Sequence, residues 1–86
     1  MPEKKVVVKN PHGLHARPAA LFVQKAASFP CSIRIHKAGK QADAKSILGL
    51  MSLGIEPEEE ILLVAEGDRA EEALDALEVV ASDPSL

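Results

Sequence analysis

Aromatic residues are almost absent: Phe22 and Phe29 carry the only such rings, and there is no tryptophan or tyrosine. That removes the usual platforms for stacking nucleic-acid bases and leaves Val, Leu, Ile and Ala to build the core. A basic excess is missing too. Ten Lys and Arg stand against 13 Asp and Glu, a net charge of −3, the opposite of a nucleic-acid binder's footprint. Cysteine occurs once, at Cys31, which excludes an intrachain disulfide and a cysteine-built zinc cage. An apolar run as long as any in the chain, residues 61–65, falls far short of the ~20 residues of a membrane span. The three valines after the charged N-terminus are too few for the apolar stretch of a signal peptide. No nucleic acid and no membrane insertion are expected, and a cytoplasmic, reducing location is the default.

What remains is an ordinary globular balance, 47% hydrophobic and 27% charged in 86 residues. A chain this size buries only ~60–70% of the surface it exposes unfolded. One domain with one modest core over residues 1–86 is therefore expected. Val6, Val7 and Val8 between lysines read as a strand over residues 4–9, broken by Asn10, Pro11 and Gly13. From Ala16 the spacing turns helical through Ala19, Ala20, Val23 and Ala27, with Leu21 and Phe22 widening the face. Pro18 suits a first turn, and Pro30 ends the helix.

Residues 31–36 alternate as a half-buried strand, residues 37–40 turn, and residues 41–44 alternate again, closing a hairpin. Ser46 is placed to cap a short helix over residues 47–53, with Gly54 as its stop. Residues 56–60 form an acidic loop, and residues 61–65 a strand suited to mid-sheet. Asp68 and Glu71 have capping-box spacing before a last helix that buries Ala70, Ala73, Leu74, Leu77 and Ala81. Residues 83–86 are expected to fray. The order β-α-β-β-α-β-α with short links predicts an α+β fold, an antiparallel sheet with its helices on one face.

The chemistry is concentrated in residues 10–20. His15 falls at the edge of a helix start with Arg17 two residues on. The first turn of a helix offers unpaired N–H groups and the positive end of the backbone dipole, which attract an anion and disfavour an imidazolium. A neutral imidazole is a nucleophile as well as a base. Once phosphorylated, it would set a dianion at an anion-binding helix terminus, within reach of charge-assisted hydrogen bonds from Arg17. Taken alone, a histidine near a helix start is more often polar surface, and Ile47, Leu48 and Met51 are more often core.

Gly13, Leu14, His15, Ala16, Arg17, Pro18 and Ala19 resemble the active-site signature of HPr, the histidine-containing phosphocarrier of the phosphoenolpyruvate-dependent sugar phosphotransferase system. Residues 45–48 and 51–54 resemble the family's second signature, and the similarity covers nearly the whole chain. The resemblance implies an open-faced β-sandwich, a four-stranded antiparallel sheet covered on one face by three helices. It implies that His15 accepts a phosphoryl group on Nδ1 from enzyme I, as a pros-phosphohistidine, and passes it to enzyme IIA domains of sugar permeases. Arg17 would stabilise the phosphate, with the backbone of Ala16 and Arg17 binding it, and Ile47, Leu48 and Met51 would dock partners. Ser46 matches the family's regulatory serine, a substrate of HPr kinase/phosphorylase in many relatives, with a catabolite-control transcription factor as a further partner. No cofactor or metal, no enzymatic turnover of its own and a monomeric state are expected. His12 departs from the family pattern, as does the density of charge in the loop of residues 56–60.

A nitrogen-regulatory HPr paralogue would show the same His15 signature. A ferredoxin-like small-ligand-binding module fits the element order but leaves the His15–Arg17 pair unexplained. A metal site built from His12, His15, His36 and Cys31 has poor ligand spacing. A Cys–His hydrolase lacks a third orienting group.

Overall fold

The computed structural model describes residues 2–86. Seven elements follow in the expected order: β1 (Glu3–Val7), α1 (Ala16–Ala27), β2 (Ser32–Lys37), β3 (Lys40–Asp43), α2 (Ile47–Ser52), β4 (Glu60–Glu66) and α3 (Ala70–Ala81). The strands form one antiparallel sheet in the order β1-β4-β2-β3, so β4 is central, as its apolar run predicts. Ile35 faces Leu63 on β4 and Ala42 on β3, and Ile61 faces Val6. These residues are buried on the helix side. Along β4, Leu62 and Val64 stay partly exposed between buried Ile61, Leu63 and Ala65, which marks the sheet's uncovered face. The architecture is the open-faced sandwich that the resemblance implies.

Local chemistry explains the turns. Ala38 and Gly39 both take positive φ, 49° and 82°, the requirement of a two-residue hairpin whose twist matches its strands. Gly54, at φ 61°, ends α2 as a left-handed residue where a Cβ would be disfavoured. Lys37 Nζ donates to the carbonyls of Leu53 at 3.2 Å and Gly54 at 2.8 Å, satisfying the C-terminal end of α2. Lys45 Nζ donates to the Phe29 carbonyl at 2.8 Å, just beyond α1.

Two expectations are corrected. The capping box of Asp68 and Glu71 does not form. The N-cap of α3 is Arg69, in the left-handed region at φ 63° and without a side-chain cap bond. One tertiary and one local contact engage its side chain: the guanidinium lies 5.0 Å from the centre of the Phe29 ring and pairs with Glu72, three residues on, at 3.0 Å. That pairing holds the Glu72 carboxyl below its ordinary pKa.

The buried stripe of α1 is Pro18, Ala19, Phe22 and Ala26, while Ala16, Ala20 and Ala27 face solvent. Alanine is compatible with either face, so the bulkiest side chain, Phe22, sets the rotation. Asn10 Nδ2 donates to the carbonyls of Val80 at 3.0 Å and Asp83 at 2.8 Å, and Ser85 turns back onto Asp83.

Candidate phosphoryl-transfer site

Two loops build the site by meeting edge to edge. Leu14, fully buried, donates its N–H to the Ile55 carbonyl at 3.1 Å. Gly13, at φ 78°, leaves room for that close approach. Asn10 is fully buried, and its carbonyl accepts from the Gly13 N–H, so the segment before His15 is anchored to both the α2–β4 loop and the end of α3.

His15 is the N-cap of α1 in extended backbone, at φ −124° and ψ 158°. Ala16 follows at φ 51°, a left-handed conformation that costs a non-glycine residue ~1–2 kcal/mol. Strain of this kind persists where surrounding contacts over-determine it, often at functional sites. The His15 side chain is one-third exposed, and its Nε2 lies 3.2 Å from Glu56 Oε1. Its Nδ1 has no hydrogen-bond partner among the described residues. Arg17 is exposed and pairs with no carboxylate among the described residues, leaving its guanidinium available to an anion beside the helix terminus. No acidic side chain occupies the first turn of α1. The arrangement offers a nucleophilic ring nitrogen, a positive helix end and an unpaired arginine in one exposed place.

The residues expected to dock partners lie on α2. Ile47, Leu48 and Met51 are exposed, Leu48 by 81%, whereas Leu50 and Leu53 supply that segment's buried side. Ser46 caps α2: its Oγ accepts from the Gly49 N–H at 3.0 Å. Replacing Ser46 by Ala should therefore cost about 1 kcal/mol of stability, read as a lower midpoint in urea unfolding.

His12 is exposed, His36 lies on β2, and Cys31 is buried. Among the described residues, no three His, Cys, Asp or Glu side chains gather as metal ligands. No helix among them is long and apolar enough to cross a membrane.

Sequence reasoning missed Glu56. The only signal was the density of acid in residues 56–60, and the structure assigns each carboxylate of the turn a different task. Glu58 pairs with Lys9 and Glu59 with Lys37, both at 2.9 Å, while Glu56 faces His15. The Glu59 carboxylate also accepts from the Glu56 N–H at 2.7 Å. This bond, then the Lys37 ammonium, holds its pKa below the ordinary glutamate value. A carboxyl depressed in the folded state adds stability that is complete above the unfolded pKa and is lost as pH falls through the folded one. Thermal midpoints should thus decline below about pH 4.3, and Glu59→Gln should flatten that decline. An unchanged acid slope in the variant would remove Glu59 from the account.

The family model for the PTS HPr component phosphorylation site matches residues 2–83. The HPr-like protein Crh of Halalkalibacterium halodurans is 54% identical over 77 residues, which are 90% of this chain and 92% of the relative. The crystal structure of a phosphocarrier protein HPr from Bacillus anthracis superposes with a TM-score of 0.91 at 50% identity, covering 93% of this chain and 95% of that one. Crh of Bacillus subtilis superposes with a TM-score of 0.75 at 46% identity, covering 94% and 93%. It is described as a catabolite repression protein with an unexpected swapping domain in a dimer. The monomeric state expected from the sequence therefore does not follow from the likeness.

Proposed function

The chain belongs to the HPr family of phosphocarriers, and from that premise we propose that His15 accepts a phosphoryl group from phospho-enzyme I and passes it to enzyme IIA domains of sugar permeases. The observation that carries this reading is the Nδ1 of His15 at the head of α1, beside Arg17, both without a partner among the described residues. In the first transfer the Nδ1 lone pair forms a bond to phosphorus while the donor's bond to phosphorus breaks and its electron pair returns to the donor. The second transfer reverses the roles, and the His15 ring leaves with the pair. Arg17 and the N–H groups of Ala16 and Arg17 offset the charge on the phosphate oxygens.

Such a carrier needs positioning and charge balance rather than an enclosed cleft. It turns over no substrate by itself, because its partners supply and remove the group. The exposed Ile47, Leu48 and Met51 give donor and acceptor one adaptable apolar face, to which methionine is suited.

Intact mass after incubation with phosphoenolpyruvate and enzyme I tests the proposal. One acid-labile phosphoryl increment is expected, lost in His15→Ala and kept in His12→Ala. Absence of the increment with an active cognate enzyme I would overturn it.

A regulatory reading stands beside the transport one, favoured by the 54% identity to a relative named Crh and by the position of Ser46. Phosphorylation of Ser46 by an HPr kinase/phosphorylase would add about −1.5 to −2 charges next to the exposed apolar face. It would turn the chain toward a catabolite-control transcription factor. Ser46→Asp keeps a good N-cap at a helix start, so stability should hold while transfer to His15 falls about tenfold, ~1.4 kcal/mol. Equal transfer rates and equal enzyme I affinity in the two proteins would reject this.

A further inference from the structure

We infer that Glu56 is a positioning residue for His15, selecting Nδ1 as the nucleophile and balancing the charge that develops on the ring. The inference rests on the proposed phosphocarrier role of His15.

A carboxylate has no proton to donate, so a bond between Glu56 Oε1 and His15 Nε2 requires Nε2 to carry the hydrogen. In the neutral ring Nδ1 then holds the lone pair. The contact, 3.2 Å long, spans 41 positions of sequence, and the backbone on both sides of it is tied down. Leu14 N–H donates to the Ile55 carbonyl, and Glu56 N–H donates to Glu59. Glu59 is in turn held by Lys37, which also grips the end of α2. The two neighbouring carboxylates are engaged by Lys9 and Lys37, so neither competes with Glu56 for the imidazole.

The charge balance follows. When Nδ1 bonds to phosphorus, Nε2 keeps its hydrogen and the ring acquires a positive charge. No proton has to leave. Glu56 lies at Nε2, the nitrogen not used for the bond to phosphorus, and offsets that cation, much as the aspartate of a hydrolase triad steadies its imidazolium. When the group moves on, the electron pair of the N–P bond returns to Nδ1 and the ring is neutral again, in the same tautomer.

Both side chains are partly solvated, 33% and 63% exposed, so the effect is that of an exposed ion pair. Ring nitrogen-15 spectra of the free protein, with transfer kinetics from phospho-enzyme I, test it in wild type, Glu56→Ala and Glu56→Gln. In the neutral ring, wild type should hold the hydrogen on Nε2, and Glu56→Ala should raise the share on Nδ1. The turnover of phosphoryl acceptance in Glu56→Ala should fall about two- to fivefold at low salt with little change in KM. High salt should shrink the difference.

Glu56→Gln keeps an acceptor oxygen but adds an N–H donor that can serve a bare Nε2, so its tautomer share should fall between wild type and Glu56→Ala while only part of the rate is recovered. A Glu56→Ala ring spectrum identical to wild type, or an unchanged or faster transfer, would overturn the inference. A faster transfer would mean that the carboxylate acts only as a like charge against the incoming phosphoryl group. Failure of wild type to take up any phosphoryl group would instead remove the proposed function, and the tautomer comparison would still decide whether Glu56 orients the ring.

Discussion

Gly13→Ala is expected to lose about 2–4 kcal/mol of stability and to disable the site at the same time. Alanine at φ 78° bears a left-handed penalty of ~1–2 kcal/mol. The added Cβ would also lie inside the van der Waals envelope of the Ile55 carbonyl oxygen and 2.9 Å from Glu56 Cα. Backbone cannot swing aside as a flexible side chain can, so the two loops must part. The bond from Leu14 N–H to Ile55 would stretch or break, leaving a buried donor whose desolvation costs ~1–3 kcal/mol if unmet. Separation of the loops also withdraws Glu56 from His15.

Gly39→Ala is the matched comparison, because Gly39 has φ 82° with nothing within 4 Å of the added carbon. It should show the conformational penalty alone. Urea unfolding of the two variants measures the difference. Equal losses would mean that the Gly13 loop yields without cost.

Phe22→Ala should be at least as destabilising, by about 3–5 kcal/mol. Phe22 is fully buried and heads the largest fully buried side chains, and only one other phenyl ring is present. Apart from Phe29, the core cluster it belongs to is small or aliphatic, with Ala19, Ala26 and Leu77 among its members, so little is available to fill the space. Domains of this size have only about 5–15 kcal/mol in total, and the thermal midpoint should fall on the order of 20 °C. A loss under ~1.5 kcal/mol would show that α1 closes onto the sheet. Because α1 carries His15 at its head, residual transfer activity should decline with the folded fraction and not below it.

Periodicity and punctuation made much of this fold legible. The alternation in β2 and β3, the apolar run of β4 and the glycine stop of α2 are local patterns, and the elements stand where those patterns predict. The α1 stripe was misjudged because alanines mark no face. The cap of α3 was misjudged because Asp68 and Glu71 satisfied a spacing rule, while Arg69 had a distant ring and a carboxylate to meet. Asn10 reads as a turn residue, yet it is a buried tie to the far end of the chain, 70 and 73 positions away.

The site divides in the same way. His15 and Arg17 are two residues apart, and a helix start confers its dipole and free N–H groups on whatever stands there, so their chemistry was readable from one short stretch. Ser46 was readable as a cap for the same local reason, and the structure gives it that bond. Glu56 was not. Four glutamates crowd that loop, and only the register between two distant loops, set by Leu14 N–H meeting the Ile55 carbonyl, determines which of them faces the imidazole.

The exposure of Ile47, Leu48 and Met51 belongs to the same class, because a six-residue helix shows no periodicity long enough to say which apolar side chains the sheet will cover. Sequence alone determined the element order, the lack of stacking aromatics and of an intrachain disulfide, and the histidine at a helix head. These depend on neighbours along the chain. Tertiary structure alone decided the hydrogen-bond partner of that histidine, the anchor of its loop and which apolar face stays exposed, since each depends on groups that only folding brings within a few ångströms.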